Sequence, residues 1–282
     1  MYTEALELGQ RAGDARQMAR ALSGLGRLAL HQGDLDQATA YYTESMARFR
    51  DAGDLRLATL ILGNLGVVAT NQGDLELARD RLEEHLRNAN RLGDRKLTGG
   101  ALTNLCLVAY HAGDLDESAR LHQQALEIAE LIGDPRLAAV ALTNLGMVAA
   151  GRHDYTAAAG FHLRSLDLAE AAGEPRSIAE NLEELAAAEA AAGHAARGVT
   201  LFGASRALRD NIGAPAPEAD LARFSAAMDH AAAVLGDAAF SEARAAGRAL
   251  SVPQAVALAR SGAPSGPLAP AKAAARLATE TQ

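Results

Sequence analysis

Leucines recur at a fixed interval along most of this chain. Leu22, Leu62, Leu102, Leu142 and Leu182 stand forty residues apart, and Leu25, Leu65, Leu105, Leu145 and Leu185 repeat that interval three residues later. Residues three apart share a helix face, so the two ladders predict one buried stripe on a recurring helix. A second periodic segment follows each. There Leu35, Leu75 and Leu115 give way to Tyr155 and Ala195, while Ala38, Ala78, Ser118, Ala158 and Gly198 keep one position small. Small residues at a fixed place predict that paired helices approach closely. Between the apolar segments stands Gly at 13, 33, 53, 73, 93, 113, 133, 173, 193 and 213, with His153 in the one vacant place. Asp follows at 14, 34, 54, 74, 94, 114, 134 and 154. Glycine suits the left-handed residue that closes a helix, and aspartate suits the N-cap of the next. Pro135 stands at a first helical position, where its missing N–H costs nothing. The pattern predicts helix, tight turn, helix, and because the side chains repeat at forty, the unit is a helical hairpin.

The register also frames the two ends. Residues 1–13, MYTEALELGQRAGD with its closing Asp14, align with YYTESMARFRDAGD forty residues on. They predict a second helix without its first, expected to fray or to mediate self-association, as in the C-terminal portion of a longer architecture. Residues 14–213 hold five hairpins. After Gly213 the register fails at Ala214-Pro215-Ala216-Pro217, since two prolines cannot both sit inside a helix. Leu221, Phe224, Met228, Ala231 and Leu235, then Phe240 to Leu250 and Val252 to Arg260, predict capping helices over 214–260. Residues 261–282 are rich in Ala, Pro, Gly and Ser and read as a disordered tail.

Composition narrows the chemistry. Apolar residues make up 49% of the chain but aromatics only 4%. The Ala and Leu that dominate favour helix over strand. A formal charge of −8 argues against a nucleic-acid backbone partner. Cys106, the single cysteine, excludes an intrachain disulfide, and it replaces Gly26, Gly66 and Gly146 as a small packing residue. No signal-peptide plan and no bilayer-length apolar run is present, which predicts a cytoplasmic protein without a membrane partner. Neither lysine, Lys96 or Lys272, follows a phosphate-binding glycine loop, and no hydrolase, zinc or dinucleotide motif occurs. No enzyme activity and no cofactor is expected. His122 and His162 share one position in successive second helices but lack further ligands for a metal.

Fixed-period hairpins define an all-α, right-handed solenoid in which each unit buries its face against its neighbours. Asn64-Leu65-Gly66…Gly73-Asp74-Leu75…Ala78 and Asn144-Leu145-Gly146…Asp154-Tyr155…Ala158 resemble the tetratricopeptide repeat. Two departures stand out: the period exceeds the usual ~34 residues, and Ala69, Ala109 and Ala149 stand where an aromatic is common. The resemblance implies that first helices line a concave groove and that Asn64, Asn104 and Asn144 bond a peptide backbone there. Thr103 and Thr143 precede two of these, and Asn71 and His111 lie further along the same face. An amide donates and accepts at once, so a row of them suits an extended peptide, although it also suits a merely solvated helix face. Arg20 and Arg27 in the first hairpin against Glu180, Glu183 and Glu184 in the fifth give a groove running from basic to acidic. Leu201-Phe202-Gly203-Ala204 with Ile212-Gly213-Ala214-Pro215 is similar to the end of the repeat sensor regions in bacterial LuxR-type and related ATP-dependent regulators. Two functions follow as expectations. One is a non-enzymatic protein- or peptide-binding scaffold in a bacterial signalling or transcription-regulatory system. The other is a small-molecule inducer sensor whose ATPase lies outside this chain.

Overall fold

A computed structural model describes residues 2–216 and 218–262, and they form helices joined by short turns. In chain order these are α1 (Tyr2–Ala12), α2 (Ala15–Gln32), α3 (Leu35–Asp51), α4 (Leu55–Gln72), α5 (Leu75–Arg91), α6 (Arg95–His111) and α7 (Leu115–Ile132). They continue as α8 (Pro135–Gly151), α9 (Tyr155–Ala172), α10 (Pro175–Ala191), α11 (Ala195–Ile212), α12 (Glu218–Leu235), α13 (Asp237–Arg248) and α14 (Val252–Ser261). Contacts divide the chain into two compact units, Met1–Ala141 and Leu142–Gln282. Each is a stack of hairpins, so the fold is an all-α solenoid of tetratricopeptide-like repeats.

The turn chemistry repeats as the sequence dictates. Gly33 and Gly73 close their helices at φ 78° and 80°, in the left-handed region that a Cβ disfavours. Asp34, Asp74 and Asp94 then accept the backbone N–H three residues on, at 3.0–3.1 Å. His153 takes the glycine place at φ 61°, the one non-glycine residue in that region among those described. Its Nδ1 lies 2.9 Å from the Tyr155 hydroxyl, which offsets part of the backbone cost. His153→Gly is expected to raise stability by about 0.5–1 kcal/mol in urea melts. A lowered midpoint would show that the bond to Tyr155 outweighs the strain.

In unit 1 the leucine ladders are interior from the second hairpin on: Leu62, Leu65, Leu102 and Leu105 are buried, as is Leu22 in the first hairpin, where Leu25 is half-buried. Stacking is reinforced at one edge, where the aspartates preceding α4, α6 and α8 each meet a base from the preceding first helix. Arg16 reaches Asp54 at 2.9 Å, Arg56 reaches Asp94 at 2.6 Å and Lys96 reaches Asp134 at 3.6 Å. In unit 2, Leu142, Leu145, Leu182 and Leu185 are buried, and helices α12–α14 cover the last hairpin. Helix α13 crosses α11 so closely that a Cβ on Gly247 would overlap the Thr200 carbonyl. Arg197 of α11 donates to the carbonyls of Leu258 and Ala259 at 2.6 and 2.8 Å, which ties down the end of α14. Gln254 and Ser251 form a capping box at its start. Helix α14 runs to Ser261, one residue into the segment expected to be a disordered tail, and the rest of that segment from 263 on lies outside the described residues.

Candidate functional site

The first helices carry a face of residues at i, i+4, i+7 and i+11 that the leucine ladders leave open. In unit 1 it reads Leu60, Asn64, Val67, Asn71 on α4 and Gly100, Asn104, Leu107, His111 on α6, and these two helices pack directly together. Asn64 and Asn104 are half-buried, Asn71 and His111 are exposed, and Leu60 and Leu107 are 39% and 38% exposed. Among the described residues the amides of Asn64, Asn104 and Asn144 make no hydrogen bond. Each therefore keeps two donors and an acceptor for solvent or for a ligand. Sequence reasoning found the amides but not their apolar neighbours Leu60, Val67 and Leu107. Extending the asparagine position by one helical turn in each direction would have found them.

On α2 the same face carries Arg20 and Arg27, both exposed. Arg27 donates to the Tyr2 hydroxyl at 2.8 Å. The Tyr2 ring fills the space where a Cβ on Gly24, the counterpart of Asn64, would lie. Helix α1 thus covers part of the basic end of this face.

In unit 2 the face carries Asn144 and Met147 on α8, and Glu180, Glu184 and Ala187 on α10. Glu180 holds Arg176 at 3.1 Å, and Glu184 is half-buried and partnered. One expectation is corrected here. Glu183 is 1% exposed and grips Arg209 of α11 through two bonds of 2.8 and 2.7 Å, so it belongs to the hairpin interior and not to an acidic groove. Arg209 is 2% exposed and also donates to the Ala214 carbonyl at 3.2 Å.

Glu183 shares its repeat position with Gly63, Thr103 and Thr143, and that position turns toward the second helix of its own hairpin. Thr143 Oγ lies 3.1 Å from Ser165 Oγ, and Thr103 Oγ donates to the Gly99 carbonyl. A Cβ on Gly63 would meet the His85 imidazole. The hydroxyls are thus engaged by protein, and the asparagines one residue on are not.

The remaining polar candidates are interior. Cys106 is buried, its thiol donates to the Leu102 carbonyl at 2.8 Å, and burial pushes its pKa well above the ordinary thiol value. His85 and His122 are 3% and 1% exposed, and burial lowers both from 6.5 to about 4. Neither His85 ring nitrogen has a hydrogen-bond partner. Among the described residues no cluster of His, Cys, Asp or Glu is placed to hold a metal ion, and no helix is long and apolar enough to cross a membrane.

The family model described as "Tetratricopeptide repeat" matches residues 1–51, 56–130 and 97–171. No curated protein matches the sequence. Among solved structures, BtubC from P. vanneervenii superposes with a TM-score of 0.67 at 19% identity, over 77% of this chain and 91% of that one. A Rap protein complexed with Competence and Sporulation Factor gives 0.61 at 15% identity, over 86% and 70% of the two chains. A Signal Transduction ATPase with Numerous Domains carrying a tetratricopeptide repeat sensor, from Pyrococcus horikoshii, gives 0.66 at 14% identity. This chain covers 39% of that protein and is itself covered over 86%.

Proposed function

From the premise that this chain belongs to the tetratricopeptide-repeat family, we propose that it is a peptide-binding regulatory module whose ligand lies on the open face of the first helices. The observation that carries this reading is the unpartnered amide at one repeat position of unit 1, Asn64 and Asn104, flanked one turn away by exposed apolar side chains on α4 and α6. Amides that both donate and accept hold an extended backbone regardless of its sequence, and Leu60, Val67 and Leu107 add apolar contact. The role is one of binding and regulation without catalysis. The Rap structure, itself complexed with a factor, is a parallel in the same fold.

The alternative ligand is a small inducer, which needs an enclosed apolar pocket. The clefts of about 740, 530 and 200 Å³ are lined by other residues, and the asparagine face is open, which favours the peptide. The test uses unstructured peptides selected on the full chain from a random display library. Replacing Asn64 and Asn104 together by Ala is expected to weaken their binding about thirtyfold, at ~1 kcal/mol for each lost amide contact, while leaving helicity by circular dichroism intact. Unchanged affinity in the double variant would remove the assignment.

A further inference from the structure

A second surface lies away from the asparagine face, at the edge of unit 1 where second helices end and first helices begin. One cleft of about 200 Å³ is walled by Leu55 and Leu62 of α4 and by Arg91 and Leu92 at the end of α5. One hairpin further on, a cleft of about 740 Å³ is walled by Leu92, Arg95, Ile128 and Leu131. Leu92 is the ridge between them. Leu55, Leu92 and Leu131 are 58%, 41% and 65% exposed. Single exposed leucines are ordinary on any surface, but three along one edge, each beside a cleft, mark a place where apolar surface is left for a partner.

Charge says what kind of partner. The Asp94 carboxylate in the larger cleft is already spent on the α6 N-cap and on Arg56 at 2.6 Å. Arg50 at the outer wall is held by Glu84 at 3.5 Å. Arg91 and Arg95 are exposed, and among the described residues they form no ion pair. The edge is therefore locally positive in a chain whose formal charge is −8. Geometry adds a spacing. The clefts recur once per hairpin, packed helices stand ~8–10 Å apart, and a helix places side chains seven residues apart at about 10.5 Å.

We propose that this edge docks an acidic amphipathic helix of a partner protein, its two apolar side chains in the clefts on either side of Leu92 and its carboxylates on Arg91 and Arg95. The surface is independent of the asparagine face, so one unit can hold a peptide ligand and a protein partner together.

The probe is a synthetic amphipathic helix with leucines about seven residues apart and glutamates beside them, titrated into the full chain by fluorescence anisotropy. A counterpart with lysines replacing the glutamates is the control. Binding of the glutamate form is expected to weaken at least about tenfold with Leu92→Asp and with Arg91→Glu/Arg95→Glu. It should weaken with rising salt and remain unchanged in Asn64→Ala/Asn104→Ala. All of these side chains are exposed or half-exposed, so circular dichroism of each variant should match the parent. Preference for the lysine form, absence of binding at millimolar probe, or loss only in the asparagine variant each overturns the proposal. So does dimerisation of the chain that Leu92→Asp abolishes, because the edge would then be the contact between two copies.

Discussion

Arg209→Ala is expected to cost about 3–5 kcal/mol, the largest loss from any single change considered. The guanidinium is 2% exposed and bonds both oxygens of Glu183, itself 1% exposed. Arg206, at 4.0 Å from the same carboxylate, is beyond hydrogen-bond reach of it. Truncation therefore strands a buried anion, and it also releases the Ala214 carbonyl where the chain leaves α11. The loss should appear in urea melts and as faster hydrogen exchange in α10 and α11. The companion experiment separates burial from attraction. Replacing both partners with apolar residues, Glu183→Leu with Arg209→Met, should recover most of the loss, since an ion pair in a dry interior barely repays its desolvation. A double variant as unstable as Arg209→Ala would mean that the pair positions the hairpin in a way that packing cannot.

The second large effect is a dependence on acid. His85 and His122 are neutral in the folded protein because burial lowers each to about 4, whereas in an unfolded chain each titrates near its ordinary 6.5. Between those values the unfolded chain binds more protons, so stability is complete above about pH 6.5 and declines as pH falls toward 4. Each group contributes about 1.4 kcal/mol per pH unit within that window. By pH 5 the two together should remove about 4 kcal/mol relative to pH 7.5. Urea melts at the two values measure it. His85→Leu should remove about half of the difference, because the ring sits over Gly63 with neither nitrogen bonded and leucine leaves nothing to protonate. Equal stability at both pH values would contradict the buried neutral state.

How much of this was legible in the sequence follows from which forces repeat. The hairpins, their turns and their core were legible because Gly, Asp and Leu recur at fixed intervals, and each carries a local physical reason for its place. His153 adopts the left-handed conformation without being glycine because the hairpins on both sides fix that turn. The site was legible only in part. Asn64, Asn104 and Asn144 stand on the open faces of their own helices, but Glu183 resembled the last of them by neighbouring in repeat position and differs by facing inward. Its partner, Arg209, stands where Phe49, Ala89, Ala129 and Ala169 stand in the other hairpins. Opposite charges at two interior positions of the same hairpin were the available signal, and it requires knowing which positions face each other across α10 and α11. The apolar edge at Leu55, Leu92 and Leu131 left no trace in the period, because these residues sit at three different repeat positions and meet only where helices end.

The edge aspartates have a mechanical consequence. Asp54 and Asp94 each hold two things at once: the first turn of their own helix and a guanidinium on the first helix of the preceding hairpin. Dissolved salt weakens the second grip far more than the first, since the cap is a short local bond and the bridge is exposed. Unit 1 is thus built like a folding screen, with rigid panels and hinges that loosen in brine while every panel keeps its shape.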